Sequence, residues 1–156
     1  MLAVEGANAL DVLGPVEVFI QAARQIAGAY HVDLIGPGAG ETVTMENGTR
    51  LGVAPLPDPP PRHHTLLVAG GDGARAAVED EAIVDWVRRA SRRATRMVSI
   101  CTGAYLLAAA GLLNERRALR PRGRSTTLGP RPGLVLGRVQ GHDFLTSLSD
   151  SSIVAR

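Results

Sequence analysis

Residues 95–114, Thr95-Arg96-Met97-Val98-Ser99-Ile100-Cys101-Thr102-Gly103-Ala104-Tyr105-Leu106-Leu107-Ala108-Ala109-Ala110-Gly111-Leu112-Leu113-Asn114, hold the reading of the fold. Met97, Val98 and Ile100 make a short apolar run with β-branched members, and Gly103 to Leu113 follows as a nearly all-apolar segment rich in helix formers. A buried strand running straight into a buried helix is the expectation. Cys101 stands at the junction. A side chain at such a turn is pushed out of the sheet, and backbone N–H groups of the new helix point into the same space. Those donors favour a thiolate and suit an oxyanion. The competing reading is a small buried hydrophobe, a common use of cysteine.

The remaining 136 positions are best read outward from this junction, within limits set by composition. A chain of 156 residues has length for one core. With 45% hydrophobic and 3% aromatic residues, that core falls to Val, Leu, Ile and Ala. No apolar run is long enough to span a bilayer and no basic region with a hydrophobic core opens the chain, so a cytoplasmic protein without a membrane partner is expected. A single cysteine forbids an internal disulfide and argues against a cysteine-based metal cluster. All 17 basic side chains are Arg. Residues 1–118 carry 11 Arg and 13 acids, a net −2, whereas residues 119–156 carry 6 Arg and 2 acids, a net +4. The first part has no nucleic-acid-binding charge.

Met1 to Val4 reads as the end of a strand. Asn8 to Gly14 reads as a turn, with Pro15 as the first residue of a helix running to about Ala27, its face made by Val16, Phe19, Ile20, Ala23 and Ala27. Gly28 stops it. Tyr30 to Ile35 is expected as a second strand. Glu41 to Met45 and Arg50 to Val53 flank Asn47-Gly48, a hairpin signal. Pro55 to Pro61 is an extended surface connection. Thr65 to Ala69 is another strand, closed by Gly70-Gly71-Asp72-Gly73. Val78, Ala82, Ile83, Trp86, Val87 and Ala90 recur at helical spacing, with Asp80 as the N-cap. Arg88, Arg89, Arg92 and Arg93 suit the C-terminal end of that helix and read as a solvated face rather than a phosphate patch.

Alternation of strands and helices implies an α/β three-layer sandwich with a mainly parallel sheet. Ligands gather at the carboxyl ends of such strands, which places Asp11, Gly70-Gly71 and Cys101 at one edge. After Ala118 the pattern stops. Residues 119–156, rich in Arg, Pro, Gly and Ser, show no convincing helical or strand period and are expected to be poorly ordered, leaving the sandwich incomplete at its C-terminus. GGDG lacks the Lys-Ser/Thr ending of a phosphate loop. His31, His63, His64 and His142 form no metal spacing, and His63-His64 on the Pro-rich loop should be exposed.

Three stretches together carry a family resemblance: Leu10-Asp11-Val12-Leu13-Gly14-Pro15-Val16-Glu17-Val18-Phe19, Leu67-Val68-Ala69-Gly70-Gly71-Asp72-Gly73, and Ser99 to Leu113. They resemble the DJ-1/PfpI superfamily, which has the class I glutamine-amidotransferase-like, flavodoxin-like fold. Within it they look most like the amidase-like N-terminal domain of AraC-type transcription regulators; isonitrile hydratase shares the Asp and the Cys-Thr pair. The resemblance covers residues 1 to about 118. It implies that Cys101 is the elbow cysteine, that Asp11 is the acid facing it, that Thr102 is the residue beside the nucleophile, and that Gly70 and Gly71 supply pocket-lining backbone donors.

Physical chemistry allows the same pairing, since a carboxyl near a thiolate in a confined pocket tends to keep its proton. Asp11 as a solvated turn residue or cap, and Gly70-Gly71 as an ordinary tight turn, are the competing readings. Glu17 reads as structural. Related domains continue past the elbow helix with an Arg-Arg-Ala-Thr-Thr-His-Trp-like segment; here Arg116-Arg117-Ala118 matches and Leu119-Arg120-Pro121 does not. That abrupt change suggests a reading-frame change near codon 118, which would remove the His, the last sheet elements and the helix-turn-helix domain.

The functional expectation is a ligand-sensing and dimerising domain of a regulator. It binds a small molecule near Cys101, uses no cofactor, forms a homodimer, and makes no direct contact with nucleic acid. The first alternative is a cysteine-dependent isonitrile hydratase or amidase-like enzyme, with Asp11 as acid/base. The second is an inactive truncated product.

Overall fold

The computed structural model describes residues 1–26, 28–37 and 42–114, and the backbone of 117–118, 135–139 and 142–145. At its centre is the first stretch of chain. Leu2, Ala3, Val4 and Ala7 are all buried, and Leu2 bridges in parallel to Ile35 on one side and Val68 on the other. Around it lie β1 (Ile35–Gly36), β4 (Ala54–Pro55), β5 (His63–Val68) and β6 (Ala94–Ser99). β1 pairs with β4 and β5 with β6, both parallel. Across the sheet the order is therefore β4, β1, the Leu2 segment, β5, β6. The chain leaves the Leu2 segment toward β1 on one flank and later returns to β5 on the other, so the strand order reverses between Leu2 and β5. In parallel sheets that reversal opens a crevice at the strands' carboxyl ends.

β2 (Thr42–Thr44) and β3 (Arg50–Gly52) form the expected antiparallel hairpin. Only Gly48 takes a positive φ there, 83°; Asn47 instead accepts a hydrogen bond from Thr49 N–H at 3.0 Å. α2 (Asp72–Ala76) and a 3-10 turn (Ala77–Glu79) lead into α3 (Glu81–Ser91), capped by Asp80, whose side chain accepts from Ala82 and Ile83 N–H. Ile83, Trp86, Val87 and Ala90 are buried together with Leu106 and Leu107 of α4 (Ala104–Ala109). The Pro-rich connection is held down by Trp86 Nε1, which donates to Pro57 O at 2.8 Å, and by an Arg89–Asp58 ion pair at 2.5 Å.

Several boundaries differ from expectation. α1 spans Ala9–Gln25 and starts six residues before Pro15. The reason is Asn8, whose side chain accepts from Leu10 and Asp11 N–H and so fixes the first turn ahead of the proline. Ile20, expected on the packed face, is exposed. The strand expected at Tyr30 to Ile35 shrinks to β1, and the elbow helix ends at Ala109 rather than Leu113. His63-His64 open β5 instead of sitting on the Pro-rich loop, and His63 is half-buried. With Arg62, Arg92 and Arg93 they line an open cleft of about 580 Å³ at the amino-terminal rim of β5 and β6, away from the crevice.

Beyond Ala118 regular structure is present where none was expected. β7 (Arg117–Ala118), β8 (Val135–Val139) and β9 (His142–Leu145) form a three-stranded antiparallel sheet. Val135, Leu136 and Val139 have strand propensity. The rest of the stretch expected to be disordered, including the side chain of His142, lies outside the described residues, as does Ala27.

Candidate functional site

Each residue expected at the site follows one of three neighbouring parallel segments. Asp11 lies in the first turn of α1, after the Leu2 segment; Gly70-Gly71 follow β5; Cys101 follows β6. Asp11 is thus a helical residue rather than part of a free turn. Pro15, four residues on, has no N–H to give the Asp11 carbonyl, so the Asn8 cap carries more of the first turn's order.

Cys101 adopts φ 49°, the one non-glycine residue at positive φ among those described. That conformation costs about 1–3 kcal/mol and is held by its neighbours. Ile100 N–H donates to Val68 O at 3.0 Å, and Gly103 N–H to Ile100 O at 2.9 Å. Gly103 itself lies so close to Val68 O that a β-carbon would collide with it. The 3-10 turn Cys101–Gly103 and α4 then carry the chain away, leaving the Cys101 side chain exposed.

Gly70 is the hinge of the arrangement. A β-carbon there would sit 2.6 Å from Asp11 Oδ2, 2.7 Å from Ile100 O and 2.8 Å from Cys101 Cβ. The carboxyl and the cysteine therefore border one small gap that only glycine leaves open. Gly71, at φ 115°, is pressed against the backbone of Asn8 and Ala7 in the same way. Its N–H donates to Thr102 Oγ1 at 2.8 Å, and the Thr102 hydroxyl donates to Gly71 O at 2.8 Å. Thr102 is buried and engaged in this closed pair, which occupies the Gly71 N–H. The Gly71 N–H, expected to face a ligand, is thus committed within the protein.

The electrostatics favour protons on both groups. Burial raises the Asp11 carboxyl first, and the charge of Glu46 adds to it, against hydrogen bonds from the Cys101 thiol and Gly70 N–H. Loss of water and then the Asp11 charge push the Cys101 thiol up, against Thr102. Cys101 is open to solvent on one side, so loss of water counts for less than in an enclosed site; the Asp11 contact, fixed by the Gly70 geometry, is the stronger influence. The thiolate expected from the helix N–H groups is overridden: α4 is short, and the nearest full charge is negative. Asp11 Oδ2 is buried without a hydrogen-bond partner among the described residues, and it borders the gap at Gly70 that Cys101 also borders.

Two residues went unnoticed in the sequence. Glu46, in the hairpin turn, accepts from Asn8 Nδ2 and from Asp72 N–H, the latter at 3.4 Å. Asn8 joins that carboxylate to the start of α1. Contacts between residues 26 and 38 positions apart leave no local pattern, and only the cap propensity of Asn8 could have drawn attention to it. Arg75 stacks on Tyr105 with its guanidinium 4.9 Å from the ring centre. Glu17 is exposed and accepts from Gln21 at 2.5 Å, a local helical contact. Among the described residues no cluster of three His, Cys, Asp or Glu fits a metal ion, and no helix is long and apolar enough to cross a membrane.

Residues 1–119 match the DJ-1/PfpI family. The chain belongs to that family. An uncharacterised protein in the cpoL 5′ region of Streptomyces lividans is 32% identical over 138 residues, 84% of this chain and 92% of its own. That share exceeds residues 1–119, so the similarity continues past Ala118. The HTH-type transcriptional regulator Rv1931c of Mycobacterium tuberculosis is 42% identical over 67 residues, 43% of this chain and 26% of that one. Isonitrile hydratase of Pseudomonas putida is 31% identical over 109 residues, 70% and 45% of the two chains. The chain thus spans less than half the length of the regulator and of the hydratase. Among solved structures, a ThiJ/PfpI family protein from Pseudomonas syringae superposes with a TM-score of 0.60 at 25% identity over 72% of this chain and 45% of that one. The sheet order and the turn after β6 are those of an α/β, flavodoxin-like fold.

Proposed function

We propose that this domain senses a small molecule at Cys101 and belongs to the transcription-regulator branch of its family, working as a homodimer and leaving DNA contact to another module. The observation that carries this reading is the juxtaposition of Asp11 and Cys101 across the gap at Gly70. A thiol whose ionisation is disfavoured by burial and by the neighbouring carboxyl is a weaker nucleophile than a thiolate and a good hydrogen-bonding contact. The similarity to HTH-type regulators and the net −2 of residues 1–118 support the same reading.

The second reading is a hydratase. Asp11 as general acid would protonate the terminal carbon of an isonitrile as Cys101 sulfur bonds to it, and would take up the thiol proton in exchange; water adding to the resulting thioimidate would then expel the sulfur, giving the formamide and returning the thiol. Similarity to isonitrile hydratase and the Asp11–Cys101 juxtaposition favour it. Incubation with a small alkyl isonitrile separates the two. The sensing reading expects no formamide above the level of Cys101→Ala, and turnover that vanishes in Cys101→Ala would overturn it in favour of the enzyme.

A further inference from the structure

Asn8, Asp11, Gly70 and Asp72 come from different parts of the chain, and one side chain touches both ends of the assembly they form. Glu46 is anchored through its own N–H, which donates to Ala7 O at 3.0 Å. One of its carboxylate oxygens accepts from Asn8 Nδ2 and the other from Asp72 N–H. Asn8 is held at its other end too: Oδ1 accepts from Leu10 N–H at 3.0 Å and Asp11 N–H at 3.2 Å, and its backbone N–H donates to Gly70 O at 2.8 Å. A side-chain amide has one donating and one accepting end. With the donating end taken by Glu46, the accepting end must face the start of α1.

We propose that Glu46 is the positioning residue of the site: by fixing the Asn8 amide and the start of α2 together, it holds the Asp11 carboxyl against Cys101. The proposal rests on the reading of Asp11 and Cys101 as an interacting pair. The negative charge of Glu46 acts in the same sense, reinforcing the effect of burial on the Asp11 proton. Asp72, at the start of α2, and Glu5 are the other acids around the site, and both are exposed.

The test is the pH dependence of Cys101 alkylation by iodoacetamide in the full chain, with thermal melting alongside. Asp11→Asn defines the effect of losing the carboxylate. Glu46→Ala is expected to lower the alkylation midpoint toward the Asp11→Asn value, raising the rate near pH 8 by about threefold for each half unit. It should change nothing further when combined with Asp11→Asn. Glu46→Gln, which keeps one accepting oxygen for Asn8 but loses the charge, should fall between the parent and Glu46→Ala. Asn8→Ser keeps a helix cap without reaching Glu46; it should reproduce the Glu46→Ala shift and decides the matter if Glu46→Ala does not fold. Unchanged midpoints in Glu46→Ala or Asn8→Ser, beside a shifted Asp11→Asn, would overturn the role of Glu46 and leave the pair intact. An unshifted Asp11→Asn would overturn both.

Discussion

At the scale of single residues, the chemistry comes from two groups that each make the other's ionisation costly. Folding raises the Asp11 pKa, so between the ordinary carboxyl value and the raised one the native chain holds more proton than the unfolded chain. Stability contributed there is full at low pH and falls as pH rises through that window. The melting temperature of Asp11→Asn should therefore gain on the parent's as pH rises above the ordinary carboxyl value of about 4; a constant difference would contradict the raised carboxyl. The backbone at Cys101 gives a second expectation. Because φ 49° suits glycine, Cys101→Gly should unfold at a higher temperature than Cys101→Ala, by a free energy of about 1 kcal/mol. If the alanine variant is the more stable, the strain assigned to this turn is wrong.

The elements show which parts of the sequence could be read and which could not. The hairpin around Asn47-Gly48, the Asp80 cap and the apolar stripe of α3 were legible because each is a local pattern. The start of α1 was not, since Pro15 advertises a first helical position while Asn8 supplies the actual cap seven residues before it. Asp11, Gly70 and Cys101 were legible as the residues that follow neighbouring strands. The closed Thr102–Gly71 pair and the reach of Glu46 were not, because both depend on contacts across the fold. Gly70→Ala tests the packing of these elements directly. Its β-carbon would meet Ile100 O and Asp11 Oδ2 at once, and the backbone oxygen cannot swing aside. A loss of about 2 kcal/mol or more is expected by urea unfolding, together with a lowered thiol midpoint as Asp11 is displaced; a variant as stable as the parent would mean the gap has slack.

Across the whole molecule, the buried Leu2 segment divides the sheet and sets the crevice beside it. The face of α1 away from Val12 and Pro15 stays open, with Leu10 at 69% and Val18 at 65% exposure. Within the proposed homodimer that helix is the natural contact, and Leu10→Glu combined with Val18→Glu should shift the chain to monomer in size-exclusion chromatography with light scattering. An unchanged dimer would move the contact elsewhere. The measurement that bears most directly on the site is the pKa of the Cys101 thiol, read from its rate of alkylation against pH in the intact chain. The pairing with Asp11 predicts a midpoint above that of free cysteine, brought down by Asp11→Asn; a midpoint at or below the free value, unmoved by that substitution, would contradict it.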